Sequence, residues 1–232
     1  MNTHKRWIKD SIHNTRLVSE QAAGVEIRSL IHNKGSSNDT HDFSAQIYID
    51  GVKILRVEND GKGGDNYYHR SKHSRMPSSS TAWVKKHGSI AIEAYSQNFY
   101  HKLIDIAKRY CQSERWYEYE EIRLKEQTIY GEEEVGPVAA VDFAYLDILV
   151  GALVNEKLTL KDMSKAIRNR IHIIDTEAND NGGFLYSTNK RPTDIHLANT
   201  KKVLKGIGKH FDYILMNELD ETTQLKLWLT IA

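Results

Sequence analysis

The stretch Asn59–Arg75, NDGKGGDNYYHRSKHSR, gathers glycines, carboxylates, imidazoles, phenol rings and cations directly after a hydrophobic run. Three kinds of chemistry fit those residue types. As an anion site, the NDGKGG turn offers consecutive backbone N–H groups, and Lys62, Arg70, Lys72 and Arg75 bring charge complementary to phosphate. The turn has neither the GxxxxGK spacing of a nucleotide-phosphate loop nor the GxGxxG spacing of a dinucleotide fold. As a metal-dependent nuclease or hydrolase, Asp60, Asp65, His69 and His73 would be the catalytic set. His69 and His73 stand four residues apart, which on a helix would put both rings on one face. No Glu-x-x-His follows His69, and the neighbouring Ser, Lys and Arg residues favour irregular backbone.

As a nucleic-acid surface, Tyr67, Tyr68 and Trp83 alternate with Arg70, Lys72, Arg75, Lys85 and Lys86, so rings would stack on bases while cations neutralise phosphates. The binding set is then Asn59, Lys62, Tyr67, Tyr68, His69, Arg70, Lys72 and Arg75. The plain structural reading of the same residues is a tight turn followed by a hydrated loop.

The elements that would hold this stretch are legible on both sides. FSAQIYID-GVKILRVEN alternates apolar residues, turns at Asp50-Gly51 and returns, which predicts a hairpin with a type I′ turn. The apolar phase slips between Ile54 and Leu55, predicting a bulge or a buried return strand. VEIRSLIH, residues 25–32, reads as a further strand. Apolar residues at three- and four-residue spacing from Ile90 to Tyr110 predict a helix over 89–112 covering one face of the hairpin sheet. ERWYEYEEIRLKEQTIYGEEE suits helix or strand. Gly136-Pro137 marks a break, giving halves at 1–135 and 136–232 or one continuous domain.

Beyond the break, VDFAYLDILVGALVNEKL forms a helical stripe, and Thr159 reads as the N-cap of a new helix, LKDMSKAIRNR. IHIID, GFLYS and DYILMNEL read as strands, DIHLANTKKVLKGIGKHF as a helix, and ETTQLKLWLTIA as a closing helix. Helices and strands without a regular βαβ repeat predict an α+β fold: an N-terminal hairpin sheet packed by a long helix, then a mixed C-terminal half.

Other chemistry is thinly represented. The only cysteine, Cys111, lies on a helical pattern and reads as a buried free thiol; disulfide and cysteine-zinc chemistry are excluded. Asp175–Gly183 has calcium-loop composition but no glutamate at the twelfth position. No GxSxG elbow is present. Neither a metal nor a cofactor is expected. The formal net charge is only +1, yet it is unevenly placed: Lys53–Lys86 holds eight Lys/Arg against three acids, and Glu114–Glu134 holds eight glutamates against three cations. That acidic run suits solvation or mimicry of a nucleic-acid backbone. The absence of an 18-residue apolar run or a secretory leader predicts a soluble chain outside the membrane.

Two blocks carry a resemblance. The first is Asp50, Gly51 and Lys53, then Asn59, Asp60, Gly61, Gly63, Gly64, Asn66, Tyr68 and His69. The second is Asp147, Leu149, Val150, Leu153, Val154, Asn155, Glu156 and Lys157. Together they resemble phage-encoded accessory proteins with a strand, a DG turn, a second strand and an NDGxGGxNxYH loop. Val52 and the inserted Asp65 depart from that pattern. The resemblance implies an accessory protein of a phage or mobile element in a bacterial cytoplasm, acting by binding a host protein, a nucleic acid or a nucleotide in counter-defence or host takeover. It implies no catalytic residue.

Overall fold

The computed structural model describes residues 10–70, 98–131, 138–175, 184–207 and 213–231; the side chains of Arg70, 126–131, 138–141 and Ile207 are not described. His73, Lys72, Arg75, Trp83, Lys85 and Lys86, the Gly136-Pro137 break, most of the Asp175–Gly183 loop and the predicted helical residues 89–97 lie outside the described residues. The fold is α+β, with two compact units: residues 18–155, and the described parts of 1–17 with 156–232.

A short helix α1 (10–14) belongs to the second unit; in the first unit, the short helix α2 (Val18–Gln21) precedes a four-stranded antiparallel sheet. Its strands are β1 (Val25–His32), β2 (Asp42–Ile49), β3 (Val52–Asp60) and β4 (Tyr67–Arg70), in spatial order β1-β2-β3-β4. Asp50 and Gly51 turn the β2–β3 hairpin at φ 47° and 79°, the two positive values a type I′ turn requires. Ile47 pairs with Leu55 and Tyr48 with Lys53, so Ile54 is the extra residue of a bulge. This is where the apolar phase slips, and the bulge restores Leu55 and Val57 to the buried face. A second irregularity interrupts β1 between Arg28 and Ile31, where Ser29 takes φ 52°.

Strand β4 corrects the expectation of irregular backbone around His69. Tyr67, Tyr68, His69 and Arg70 pair with Glu58, Val57, Arg56 and Leu55, extending the hairpin into a third ladder. Val25, Ile27, Phe43, Ala45, Ile47, Ile49, Leu55 and Val57 form the buried face.

Helix α3 (98–114), helix α4 (Trp116–Gly131) and the first part of helix α5 (Val138–Asn169) complete this unit. Cys111 donates from Sγ to the Tyr145 carbonyl at 3.7 Å, and Lys108 pairs with Asp142 at 3.1 Å, joining α3 to α5. Lys102 reaches Asp50 at 2.5 Å and so ties α3 to the hairpin turn. The ambiguous WYEYEEIRL segment is helical, and its acids are partly paired along the helix: Glu118 with Arg115, Glu120 with Arg123, Glu121 with Lys125. Thr159 is not a cap. It lies inside α5, because the apolar stripe continues through Leu160, Met163 and Ile167 and keeps one continuous face to bury.

In the second unit, a three-stranded antiparallel sheet has the order β6-β5-β7, with β5 (His172–Asp175), β6 (Phe184–Ser187) and β7 (Tyr213–Leu215). Helices α6 (Asp194–Ile207) and α7 (Glu221–Ile231) complete it. DYILMNEL is only partly strand; Met216–Glu218 turn as a 3₁₀ helix. There Asn217 donates to the Ile167 and Arg170 carbonyls at 2.8 and 2.9 Å and accepts from the His172 N–H at 2.8 Å, closing the end of α5 and starting β5. Leu17, Met163 and Leu225 form one buried cluster, Ile174, Met216 and Leu227 another. Among the described residues no helix is long and apolar enough to cross a membrane.

Candidate functional site

The glycine turn is built around Asn59, which is only 7% exposed. Its Oδ1 accepts from the Thr40 hydroxyl at 2.8 Å and the Gly61 N–H at 2.9 Å. Its Nδ2 donates to the Gly64 carbonyl at 3.2 Å and to Asn66 Oδ1 at 3.1 Å. The Lys62 N–H bonds Asp60 Oδ1 at 3.2 Å, and the Gly63 N–H reaches Thr40 Oγ1 at 3.4 Å. The N–H groups of Gly61, Lys62 and Gly63, which the sequence offers to a phosphate, are therefore engaged by the protein's own oxygens. Gly61 is fixed at φ 76°, where a Cβ would lie 2.6 Å from the Ser36 carbonyl oxygen. Its own carbonyl accepts from Asn38 and Asp39 at 2.9 and 3.1 Å and more distantly from Thr40. The β1–β2 turn and the glycine turn are thus one hydrogen-bonded body.

Because alternate side chains of a strand point to opposite faces, β4 divides the predicted binding set. Tyr68 goes inward. Its ring stacks on Phe143 at 5.0 Å and 19°, and its hydroxyl donates to Asp147 Oδ1 at 2.6 Å, which occupies the ring surface a nucleobase would use. Asn66 Nδ2 donates to the same carboxylate oxygen at 2.8 Å. Burial, reinforced by the charge of Asp147, holds the Tyr68 phenol well above its ordinary pKa, and burial likewise raises that of Asp147. Asp147 stands 81 residues beyond Asn66, and no local pattern joins them. Both belong to the blocks that carry the phage-protein resemblance.

Tyr67 and His69 go outward. Tyr67 is 64% exposed, and His69 Nε2 lies 3.3 Å from Glu58. They extend cross-strand rows on the sheet's outer face. One row runs Arg28, Gln46, Arg56, His69; the next runs Ile31, Ser44, Glu58, Tyr67. Arg28 lies 4.3 Å from the centre of the Tyr48 ring and pairs with Glu26 at 2.7 Å; Arg56 pairs with Glu58. The candidate nuclease ligands are dispersed. Asp60 serves its turn and His69 the outer face, and among the described residues no three acidic, imidazole or thiol groups come together as a metal site. Cys111 is fully buried, and burial, with Glu118, pushes its thiol up to about 12.

Between the 37–41 turn, the 59–66 turn and α5 lies a cleft of about 630 Å³. Asp39, Asp65 and Asp147 line it, with His41 and Asn155, which bond each other at 2.5 Å. Phe43, Ile148 and Val154 give it an apolar wall, and among the described residues neither Lys62 nor any other lysine or arginine lines it. Sequence reasoning missed this cleft because its walls come from three separate segments.

An α+β chain with a four-stranded antiparallel sheet, open on one face and cleft on the other, is the class this geometry defines. No protein-family model, curated protein or solved structure matches the chain.

Proposed function

We propose that the protein acts by binding rather than turnover, as an accessory factor of a phage or mobile element in a bacterial cytoplasm, and that it docks a host protein on the outer face of the β1–β4 sheet. The observation that carries this reading is the composition of that face. Arginines and aromatics, the side chains enriched in protein–protein contacts, stand on a rigid antiparallel platform: Arg28 with Tyr48, Arg56, and the open Tyr67, beside Ile31 at 69% exposed. Charge favours a protein over a nucleic acid. Glu26 and Glu58 alternate with the arginines, so a phosphate chain laid across the sheet would meet two carboxylates as well as two guanidiniums. A nucleotide bound at the glycine turn has less support, since the turn's N–H groups are engaged. The nuclease reading, Asp60 and Asp65 with His69 and His73, has no observation in its favour.

The test is affinity purification from expressing bacteria, with and without nuclease treatment, comparing wild type with Arg28→Glu/Arg56→Glu/Tyr67→Ala. A protein recovered by the wild type in both conditions, and at least tenfold less by the variant, is expected. Equal recovery by the variant, or recovery that disappears with nuclease, refutes the proposal.

A further inference from the structure

We infer that the second unit carries a site for a single-stranded nucleic acid, in which Phe184 and Tyr186 of β6 stack on bases while Lys190, Arg191, Lys202 and Lys205 meet the phosphates. The site involves none of the β1–β4 sheet and stands independently of the partner assigned to that sheet.

The first observation is where β6 puts its rings. Leu185 opposes Ile174 and packs on the cluster of Ile174, Met216 and Leu227, so it makes the strand's contribution to the core. Because successive side chains point to opposite faces, Phe184 and Tyr186 turn away together, 47% and 51% exposed. Their centroids lie 6.5 Å apart with the planes tilted by 43°, so the two rings are not stacked on each other. Two open rings at alternate positions of a strand are the means by which sheet-based modules hold neighbouring unpaired bases, and every base offers such a ring a flat face. Tyr68 of the first unit differs, since Phe143 already covers its ring. Asp175, the acid in the same cross-strand row, is buried between Phe184 and Tyr213.

The second observation is the charge on the chain that leaves β6. Lys190 to Lys205 holds five Lys/Arg against Asp194 alone, which suits a polyanion. The connector is fixed: the Lys190 carbonyl accepts from the Ile171 N–H at 3.1 Å, and the Thr188 N–H donates to the Ile171 carbonyl at 2.9 Å. Thr193 Oγ1 accepts from the His196 N–H at 3.3 Å and starts α6, while His196 Nδ1 meets the Arg191 carbonyl at 2.9 Å. Exposed Lys190 and Arg191 therefore stand between the rings and the helix.

The third observation selects the ligand. His196, Leu197, Thr200 and Leu204 form the half-buried side of α6, and Ala198, Lys202 and Lys205 lie on the opposite, exposed side. Lys201 is drawn to Glu218 at 2.6 Å. Ile195 and Val203 are exposed too, but Asn199 separates them, so the outward face lacks the continuous apolar stripe a lipid surface requires. Rings followed by cations match the alternating bases and phosphates of an unpaired strand.

The probes are fluorescein-labelled oligouridylate and oligothymidylate of about twelve nucleotides, titrated with the full chain and read by anisotropy. A duplex of equal length hides its base faces, inorganic polyphosphate supplies charge without bases, and phosphatidylserine vesicles present a lipid surface. Saturable binding of one or both strands is expected, about tenfold or more tighter than the duplex and weakening as salt rises; the tighter strand names the sugar. Phe184→Leu/Tyr186→Leu, which keeps apolar bulk but removes the rings, should weaken binding by about tenfold or more, whereas Phe184→Trp/Tyr186→Trp should retain it. Lys190→Glu/Lys202→Glu/Lys205→Glu should weaken binding and flatten its salt dependence. These side chains are exposed, so circular dichroism and melting should match wild type; if the leucine variant melts early, the charge-reversal variant decides. Absence of saturable binding by both strands, equal binding of duplex or polyphosphate, vesicle binding in place of the strands, or unchanged affinity in the deciding variants overturns the inference. Arg28→Glu/Arg56→Glu/Tyr67→Ala should bind the strands normally, so failure of one proposal leaves the other standing.

Discussion

Replacing Asn59 by alanine tests whether the glycine turn is held by a side chain or by its own backbone. The carboxamide makes four hydrogen bonds, two as acceptor and two as donor, to Thr40, Gly61, Gly64 and Asn66. Each such bond contributes about 0.5–1.5 kcal/mol net, and a partner left buried and unsatisfied costs more. Gly61 is buried and its N–H has nowhere else to turn, whereas Gly64 is exposed and regains water. The expected loss for Asn59→Ala is therefore about 2–4 kcal/mol. With a urea dependence of about 2 kcal/mol per molar, the unfolding midpoint falls by about 1–2 M. Urea titration followed by circular dichroism reads it, with Lys62→Ala as a control whose exposed side chain should cost under about 0.5 kcal/mol. If Asn59→Ala unfolds within about 0.5 kcal/mol of wild type, the backbone turn is self-sufficient and the hub account is wrong.

Two further outcomes follow from the same structure. Gly61→Ala should lose at least about 2 kcal/mol, since its Cβ meets the Ser36 carbonyl at 2.6 Å in a left-handed conformation. Gly51→Asn should cost less than about 1 kcal/mol, because that glycine has similar φ but open space around it; thermal melts compare the two. Burial depresses the His172 pKa below its ordinary 6.5, so the neutral ring favours the folded state. That contribution is complete above pH 6.5 and is lost as pH falls through it toward the folded value; stability measured from pH 7.5 to 5 should decline, and His172→Phe should flatten the decline.

Much of the first unit's framework is legible in the chain because one face of its sheet is buried. Phe43, Ala45, Ile47 and Ile49 alternate for that reason, the Asp50-Gly51 turn answers to backbone sterics, and even the bulge at Ile54 is written in the slipped apolar phase. β4 is not legible: four residues without apolar alternation carry no hydrophobic signal, and their strand conformation is supplied by the free edge of β3. The false cap at Thr159 has the opposite origin. Threonine suits a cap locally, but Leu160, Met163 and Ile167 gain more by continuing the buried stripe. The candidate cleft was hidden for a third reason, since the pairing of Asn66 and Tyr68 with Asp147 is a product of packing between distant segments.

The irregularity at Ser29 has a consequence for association. Both outer strands of a four-stranded sheet present unpaired main-chain groups that invite another chain to add as a strand. Here the β1 border is bent by a residue at φ 52°. That border makes no long flat template, so an open face bearing Ile31 and Tyr67 can coexist with resistance to edge-to-edge aggregation along β1. A partner of this sheet would read side chains across the strands, and extended peptides that work by strand addition should not compete with it.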